Sequence, residues 1–198
     1  MHPELFSLIL FCLVTSCTPG PNNILASYSG FNFGVKKTLP LMAGVAFGYT
    51  FMLTIVNFGL IVIFQNYPIV QKIIKIVGSL FLIYLAYKIS FSKNESDILN
   101  KNPVKFLDTF IFQFINPKAI IVATIMVSTF VSSNNSYMRE SLWVIGVNFI
   151  FAWFSITFWT LLGKFLRKFA TNEKFIKIFN YVMSFLLISC IATFYLEL

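Results

Sequence analysis

The feature that constrains this chain most is a proline-rich break inside a long uncharged run. No charged residue occurs from Leu5 to Val35, a run long enough to cross a bilayer. Within it stand Pro19, Gly20 and Pro21, and each proline lacks an N–H donor and clashes with the preceding helical turn. We therefore expect the helix to open here, leaving unpaired backbone groups on both sides of the break.

Open backbone inside a membrane persists only where protein or a water-filled cavity meets it, because hydrocarbon offers no hydrogen-bond partner. Asn22 and Asn23 follow the break directly and add amide donors and acceptors beside the restarted helix. The stretch from Pro19 to Asn23 is therefore predicted to be a ligand site.

Composition places the whole chain in the lipid bilayer. Of its 198 residues, 58% are hydrophobic and only 11% are charged, whereas soluble domains carry roughly a quarter charged residues. The formal net charge of +8 does not indicate nucleic acid, because the basic residues lie between apolar runs and not in one patch interleaved with aromatics. Nucleic acid is therefore not an expected partner.

The apolar runs predict an all-α, polytopic membrane protein with six transmembrane helices. The predicted spans are 5–30, 39–64, 69–87, 106–131, 141–163 and 175–196. The polar stretch 91–105 is predicted to be a cytoplasmic connecting loop. It divides one membrane domain into a first three-helix repeat, 1–90, and a second, inverted three-helix repeat, 106–198.

The fourth predicted span carries a second break, so helices 1 and 4 are both expected to be broken. Pro117 again removes a helix hydrogen bond, Asn116 precedes it, and Lys118 follows at membrane depth. An ionisable residue at that depth is a functional candidate by default. The alternative is an interfacial lysine whose ammonium reaches the membrane surface.

Similar motifs in the two halves indicate the internal repeat. Gly44-Val45-Ala46-Phe47 in the second span corresponds to Gly146-Val147-Asn148-Phe149 in the fifth. The third and sixth spans begin with similar segments, 73–76 and 175–178, at the same offset. Three spans per repeat is an odd number, so the second half must insert upside down. Inverted repeats with broken helices near the midplane are a recurring plan of secondary transporters, and their half-helix N-termini offer N–H groups to anions.

Two features of the second span concern helix packing. Gly44 and Gly48 have the small-xxx-small spacing that lets membrane helices approach closely. Asn57, a strongly polar residue deep in that span, is expected to hydrogen-bond a neighbouring helix, with a place on the transport pathway as the alternative.

The motifs at the two breaks resemble those of the LysE/RhtB amino-acid exporter family. Pro19-Gly20-Pro21-Asn22 and Asn116-Pro117-Lys118 carry this resemblance, which covers essentially the whole chain in length, segment count and motif order. The longer string 18–26, together with 112–114 and 128–131, is similar to the cysteine/O-acetylserine exporter branch.

This resemblance implies secondary active export of amino acids or close derivatives from the bacterial cytoplasm, driven by protons. It also implies a multi-pass protein of the cytoplasmic (inner) membrane. Alternating access between the two halves, around a small zwitterionic substrate at the breaks, is the expected mechanism. The expected substrate-binding residues are Pro19, Gly20, Pro21, Asn22, Asn23, Asn116, Pro117 and Lys118.

The residues that couple protons are harder to place, because no Asp or Glu lies deep in any predicted span. Lys118 and Asp108, near the start of the fourth span, are the two candidates. An interfacial position without a coupling role is the alternative for Asp108.

Other function classes find little support. Cys12, Cys17 and Cys190 form no CxxC pair and have no His or acidic companions, so we expect no metal, cofactor or disulfide framework. An intramembrane thiol-redox enzyme would need cysteines in both broken helices, and the fourth span has none; no catalytic residue is therefore assigned. A passive channel or membrane scaffold stays as the alternative to an exporter, and homo-oligomerisation is left open.

Positive charges predict the orientation, because cytoplasmic loops carry an excess of Lys and Arg. Three such residues share a side with both termini: Lys72, Lys75 and Arg139. Eleven lie on the other side: Lys36, Lys37, Lys88, Lys93, Lys101, Lys105, Lys164, Arg167, Lys168, Lys174 and Lys177. Both termini are therefore expected outside.

Reporter fusions test this orientation. Alkaline phosphatase fused to either end should be active, because the enzyme folds only outside the cytoplasm, and green fluorescent protein fused there should stay dark. Cytoplasmic signal from either terminus would contradict the predicted topology.

Overall fold

The computed structural model describes residues 4–90, 104–132, 135–170 and 173–195. The predicted loop 91–105 lies almost wholly outside these residues, and the described residues contain helices and no strand. The helices are α1 (Leu5–Cys17), α2 (Pro21–Ile55), α3 (Ile61–Asn66), α4 (Pro68–Ser90), α5 (Phe106–Phe112), α6 (Pro117–Phe130), α7 (Tyr137–Arg167) and α8 (Glu173–Tyr195), with a π-helical segment, Val56–Leu60, between α2 and α3.

Four described helical stretches are long and apolar enough to span a membrane. They are Pro21–Ile63, α4, α7 and α8, and α5 with α6 forms a fifth if that pair, bent by 58°, is one span. The helix α1 is apolar but has only 13 residues. The structure thus confirms a polytopic helical architecture, while the six-span repeat topology stays a prediction.

Both predicted helix breaks are confirmed. The helix α1 ends at Cys17 and α2 begins at Pro21, and α5 ends at Phe112 while α6 begins at Pro117. Each restarted helix has proline at its first position, where the missing N–H would have no intrahelical partner anyway.

The predicted connection between the first and second spans is a sharp turn within α2, because the Ser29 and Thr38 hydroxyls lie 2.9 Å apart, whereas nine residues of straight helix span about 13.5 Å. One residue interrupts the helical path: Gly34, with φ 74° and ψ 172°. Glycine suits this position because a side chain at positive φ would clash with the backbone. A single residue at positive φ therefore turns the chain back, and Leu25 and Ala26 pack against Leu41 and Met42.

The helices α2 and α7 pack against each other through a reciprocal glycine contact. A Cβ on Gly30 would overlap the backbone of Thr160, and a Cβ on Gly163 would overlap the backbone of Ser27. The first half of α2 runs parallel to α7, because Asn23 contacts Ser155 and Phe31, further along α2, contacts Arg167, further along α7. Small residues thus allow the backbones to meet.

The expected packing roles of Gly44, Gly48 and Asn57 are confirmed. A Cβ on Gly44 would overlap the Phe106 carbonyl, and one on Gly48 would lie 2.7 Å from the Phe110 Cα, so both glycines lie against α5. The Asn57 Nδ2 donates to the Ser141 Oγ of α7 at 2.9 Å.

Large apolar side chains cover the outside of the bundle. Phe6 is 80% exposed, Phe185 69% and Ile150 66%. Exposed apolar surface of this extent is unfavourable in water and marks a lipid or protein contact, which agrees with burial in a bilayer.

The repeat-related residues Phe47 and Phe149 contact each other, with ring centroids 5.4 Å apart, across α2 and α7. Residues that lie beside a two-fold axis meet their own equivalents in this way. The contact is compatible with the predicted inverted repeat.

Replacing Gly163 with Ala should lower the free energy of unfolding by about 2 kcal/mol, because the added methyl overpacks a backbone contact. Gly146 is the matched control, since a Cβ there meets no atom within 4 Å, and its Ala variant should be neutral or stabilised by helix propensity. Unfolding of the purified proteins in mixed micelles with a denaturing detergent measures both. Equal effects at the two positions would contradict the close contact.

Candidate functional site

The carbonyl groups freed at the end of α1 are met by side chains from two other helices. The Asn23 Nδ2 of α2 donates to the Ser16 carbonyl at 2.8 Å and to the Thr18 carbonyl at 3.1 Å. The Ser155 Oγ of α7 donates to the Ser16 carbonyl at 2.7 Å and lies 3.2 Å from the Asn23 Oδ1. The open end of α1 is therefore held by protein groups, as a break inside a membrane requires.

Lys118 completes this arrangement from the other break. Its Nζ donates to the Thr18 carbonyl at 3.1 Å, to the Thr18 Oγ1 at 2.8 Å and to the Pro19 carbonyl at 3.3 Å. An ammonium has three donors, so all are engaged. Its charge also lies at the C-terminal end of α1, where the helix dipole favours a cation.

Gly20 makes room for this lysine. Its backbone is extended, with φ −164° and ψ 171°, so its conformation alone does not require glycine. A Cβ on Gly20 would instead lie 2.9 Å from both the Cδ and the Nζ of Lys118. The glycine of the first break thus lets the lysine of the second break approach.

A second set of hydrogen bonds joins the two breaks, this time from a residue of the first break to one of the second. We call these two sets of hydrogen bonds, that of Lys118 and that of Asn22, the two ties. The Asn22 Nδ2 donates to the Gln113 Oε1 at 2.8 Å, and the Gln113 Nε2 donates back to the Asn22 Oδ1 at 3.1 Å. Gln113 is fully buried and also donates to the Thr109 carbonyl at 2.7 Å. Asn22 and Lys118 each directly follow the first proline of their helix, and each reaches across to the opposite break.

A cavity of about 80 Å³ lies where the breaks meet. A water molecule needs roughly 10–15 Å³ of such volume, so the cavity has room for several waters or one small solute. Its described lining comes from α1, α2, α6 and α7 and from the two breaks: Thr15, Ser16, Gly20, Pro21, Asn22, Asn23, Val45, Tyr49, Asn116, Lys118, Ala119, Val122, Asn148, Ala152, Ser155 and Ile156.

Three polar atoms of this lining are buried without a hydrogen-bond partner among the described residues. They are the Tyr49 Oη, the Asn116 Oδ1 and the Asn148 Nδ2. Asn116 is 2% exposed and Asn148 4% exposed. A buried polar group left unpaired costs about 1–3 kcal/mol, so three of them around one cavity indicate a place for a polar ligand.

A larger cavity, of about 140 Å³, lies between α4 and α6, with four isoleucines in its lining. None of the unpartnered polar atoms of the described residues lies on it. The smaller cavity is therefore the better candidate for a polar ligand.

The structure brings six of the eight predicted site residues together on the smaller cavity: Gly20, Pro21, Asn22, Asn23, Asn116 and Lys118. Pro19 is not in the lining but provides a carbonyl to Lys118, and Pro117 faces the larger cavity. Asp108 is exposed at the start of α5, where its Oδ2 accepts from the Lys105 N–H at 3.1 Å. It therefore lies outside the cavity.

Sequence reasoning missed Tyr49, Ser155 and the role of Gln113. Asn148 offered a signal, since it is an amide inside an apolar span and within the repeated Gly-Val-X-Phe motif. Tyr49 offered none, because tyrosine is common near membrane surfaces and only the packing of α2 places this hydroxyl on the cavity. Among the described residues, no cluster of three or more His, Cys, Asp or Glu could hold a metal ion.

Comparison with known proteins adds the family. The family model described as "LysE type translocator" matches residues 13–197. This chain belongs to the LysE family of translocators. It is 30% identical to the cysteine/O-acetylserine efflux proteins of Escherichia coli K12 and Shigella sonnei Ss046, over 96% of this chain and 97% of each relative. No solved structure matches the chain.

Membership of this family, together with the apolar spanning helices, makes the chain a multi-pass inner-membrane protein. The resemblance read from the motifs at the two breaks is thereby confirmed. The family also favours a translocator over an enzyme.

Replacing Lys118 with Met should lower the free energy of unfolding by about 2 kcal/mol, because the carbonyls of Thr18 and Pro19 lose a charged donor. Lys72, exposed at the start of α4, is the matched control, and its Met variant should change stability by less than about 0.5 kcal/mol. Detergent unfolding compares the two. If the Lys118 variant unfolds with the same free energy as the wild type, the hydrogen bonds of Lys118 to the first break are not needed for stability.

Proposed function

We propose that this protein is a secondary active exporter of small amino acids or their close derivatives. The observation that carries the proposal is the cavity at the two breaks, with unpartnered polar groups in its lining. The efflux function in the names of the relatives supports the direction of transport and the substrate class.

The carboxylate of a zwitterionic substrate would bind at the starts of α2 and α6. Because these helices begin at Pro21 and Pro117, the N–H groups of Asn22, Asn23, Lys118 and Ala119 have no intrahelical partner. The positive end of each helix dipole and the charge of Lys118 favour an anion there. The Asn116 Oδ1, buried and unpartnered, would accept from the substrate ammonium.

The structure changes the role that we assign to Asn22. Its side-chain amide is engaged with Gln113 in both directions, so we assign the carboxylate to backbone N–H groups and not to this side chain. Asn22 would then act by holding the start of α2 against the second break.

Alternating access would alter the two ties between the breaks. Movement of one half against the other must separate either Lys118 from Thr18 or Asn22 from Gln113, because each tie joins one half to the other. Of the two proton-coupling candidates, only Lys118 lines the cavity, so we place the coupling there. Loss of its proton would weaken its hydrogen bonds to the Thr18 and Pro19 carbonyls. This would favour the state in which Lys118 and Thr18 are separated.

Efflux from proteoliposomes or everted vesicles tests this function. Replacing Asn22 with Ala should lower amino-acid export at least tenfold, because the amide pair with Gln113 is lost, while leaving membrane insertion intact. Asn32 of α2, which lies outside the cavity lining and donates to the Tyr28 carbonyl, is the matched control, and its Ala variant should export normally.

Two outcomes would overturn the proposal. Normal export by the Asn22 variant would remove the assigned role of the break, and the absence of export for every amino acid tested would remove the function. Flux that neither saturates nor responds to an uncoupler would instead favour the passive channel.

A further inference from the structure

The charge balance of the small cavity is positive. Lys118 is the only charged residue in its described lining, and the lining includes the N-terminal turns of α2 and α6. The buried carboxylate of Glu140 lies elsewhere and accepts from the Ser132 N–H at 2.8 Å. No acidic group of the described residues therefore offers a second positive charge a partner in this cavity.

Neutral polar residues of the cavity lining also lie outside the breaks. Two of them are Tyr49 of α2 and Asn148 of α7, whose hydroxyl and side-chain amide nitrogen have no hydrogen-bond partner among the described residues. The part of the lining that α2 and α7 contribute outside the breaks also includes the apolar residues Val45, Ala152 and Ile156. It suits a side chain of a few atoms that carries a hydrogen-bonding group without charge.

We propose that Tyr49 and Asn148 determine substrate specificity, selecting small amino acids with an uncharged, hydrogen-bonding side chain and excluding cationic ones. This inference rests on the proposed export function. A cationic amino acid would place two ammonium groups beside Lys118 with one carboxylate to balance them. Burial of an unbalanced charge is strongly unfavourable, whereas a hydroxyl, thiol or ester side chain would satisfy the two unpartnered groups.

The amide of Asn148 allows a test by loss of function. Asn148→Leu keeps the approximate size of the side chain and removes the donor. Efflux of serine and O-acetylserine from proteoliposomes should fall at least tenfold, while efflux of alanine, which has no side-chain hydrogen bond to lose, should change less than threefold.

Asn180 provides the matched control for this loss. It is 1% exposed and both of its amide atoms lack a partner among the described residues, but it lies on α8 outside the cavity lining. Asn180→Leu should leave the ratio of serine to alanine efflux unchanged, whatever it does to stability.

A charge introduced at the same position tests the exclusion of cations by gain of function. Asn148→Asp supplies the missing carboxylate, so lysine efflux should rise at least tenfold over the wild type while serine efflux falls. Asn180→Asp should not admit lysine. A gain of activity cannot be produced by misfolding, so it separates a specificity role from a structural one.

The outcomes distinguish this inference from the proposed function. If the wild type exports lysine as fast as serine, or if Asn148→Leu slows serine and alanine equally, the assigned specificity is wrong while export stands. If the wild type exports no amino acid, both the assigned specificity and the proposed export function are wrong. Selective loss of serine efflux together with gain of lysine efflux supports the inference.

Discussion

The structure depends on how hydrogen bonds are restored where two helices open inside the apolar part of the chain. Each break frees carbonyls on one side and N–H groups on the other, and hydrocarbon satisfies neither. The carbonyls at the end of α1 are met by Asn23, Ser155 and Lys118. Since these donors come from α2, α6 and α7, the break can exist only when those helices are assembled around it.

Close helix packing serves the same requirement. Gly30 and Gly163 bring α2 against α7, and Gly44 and Gly48 bring α2 against α5. Longer side chains at these positions would move α7 and α5 outward, and with them Ser155 and Gln113. The glycine contacts therefore set the distances at which the polar groups of the breaks reach one another, so packing and ligand site form one system.

The buried polar groups that lack a hydrogen-bond partner are as informative as those that have one. The carbonyls of Ser16, Thr18 and Pro19 have partners, whereas the Tyr49 hydroxyl and one amide atom each of Asn116 and Asn148, all residues of the cavity lining, have none among the described residues. Together with the N–H groups at the starts of α2 and α6, these groups form the polar part of the proposed ligand site. The family relationship and the chemistry of the cavity thus lead independently to a small polar solute.

The sequence by itself determined the membrane environment, the two breaks and the family, because uncharged length, proline and a local motif act through near neighbours in the chain. It also singled out Asn116 and Lys118, which line the cavity, since polar residues at membrane depth stand out from their surroundings. Only the tertiary structure decided that the chain turns back at the single residue Gly34, that Asn22 pairs with Gln113 and that Lys118 binds the carbonyls of Thr18 and Pro19. These outcomes depend on contacts between residues about one hundred positions apart or on the path that packing imposes. Local patterns in a sequence carry no information about either.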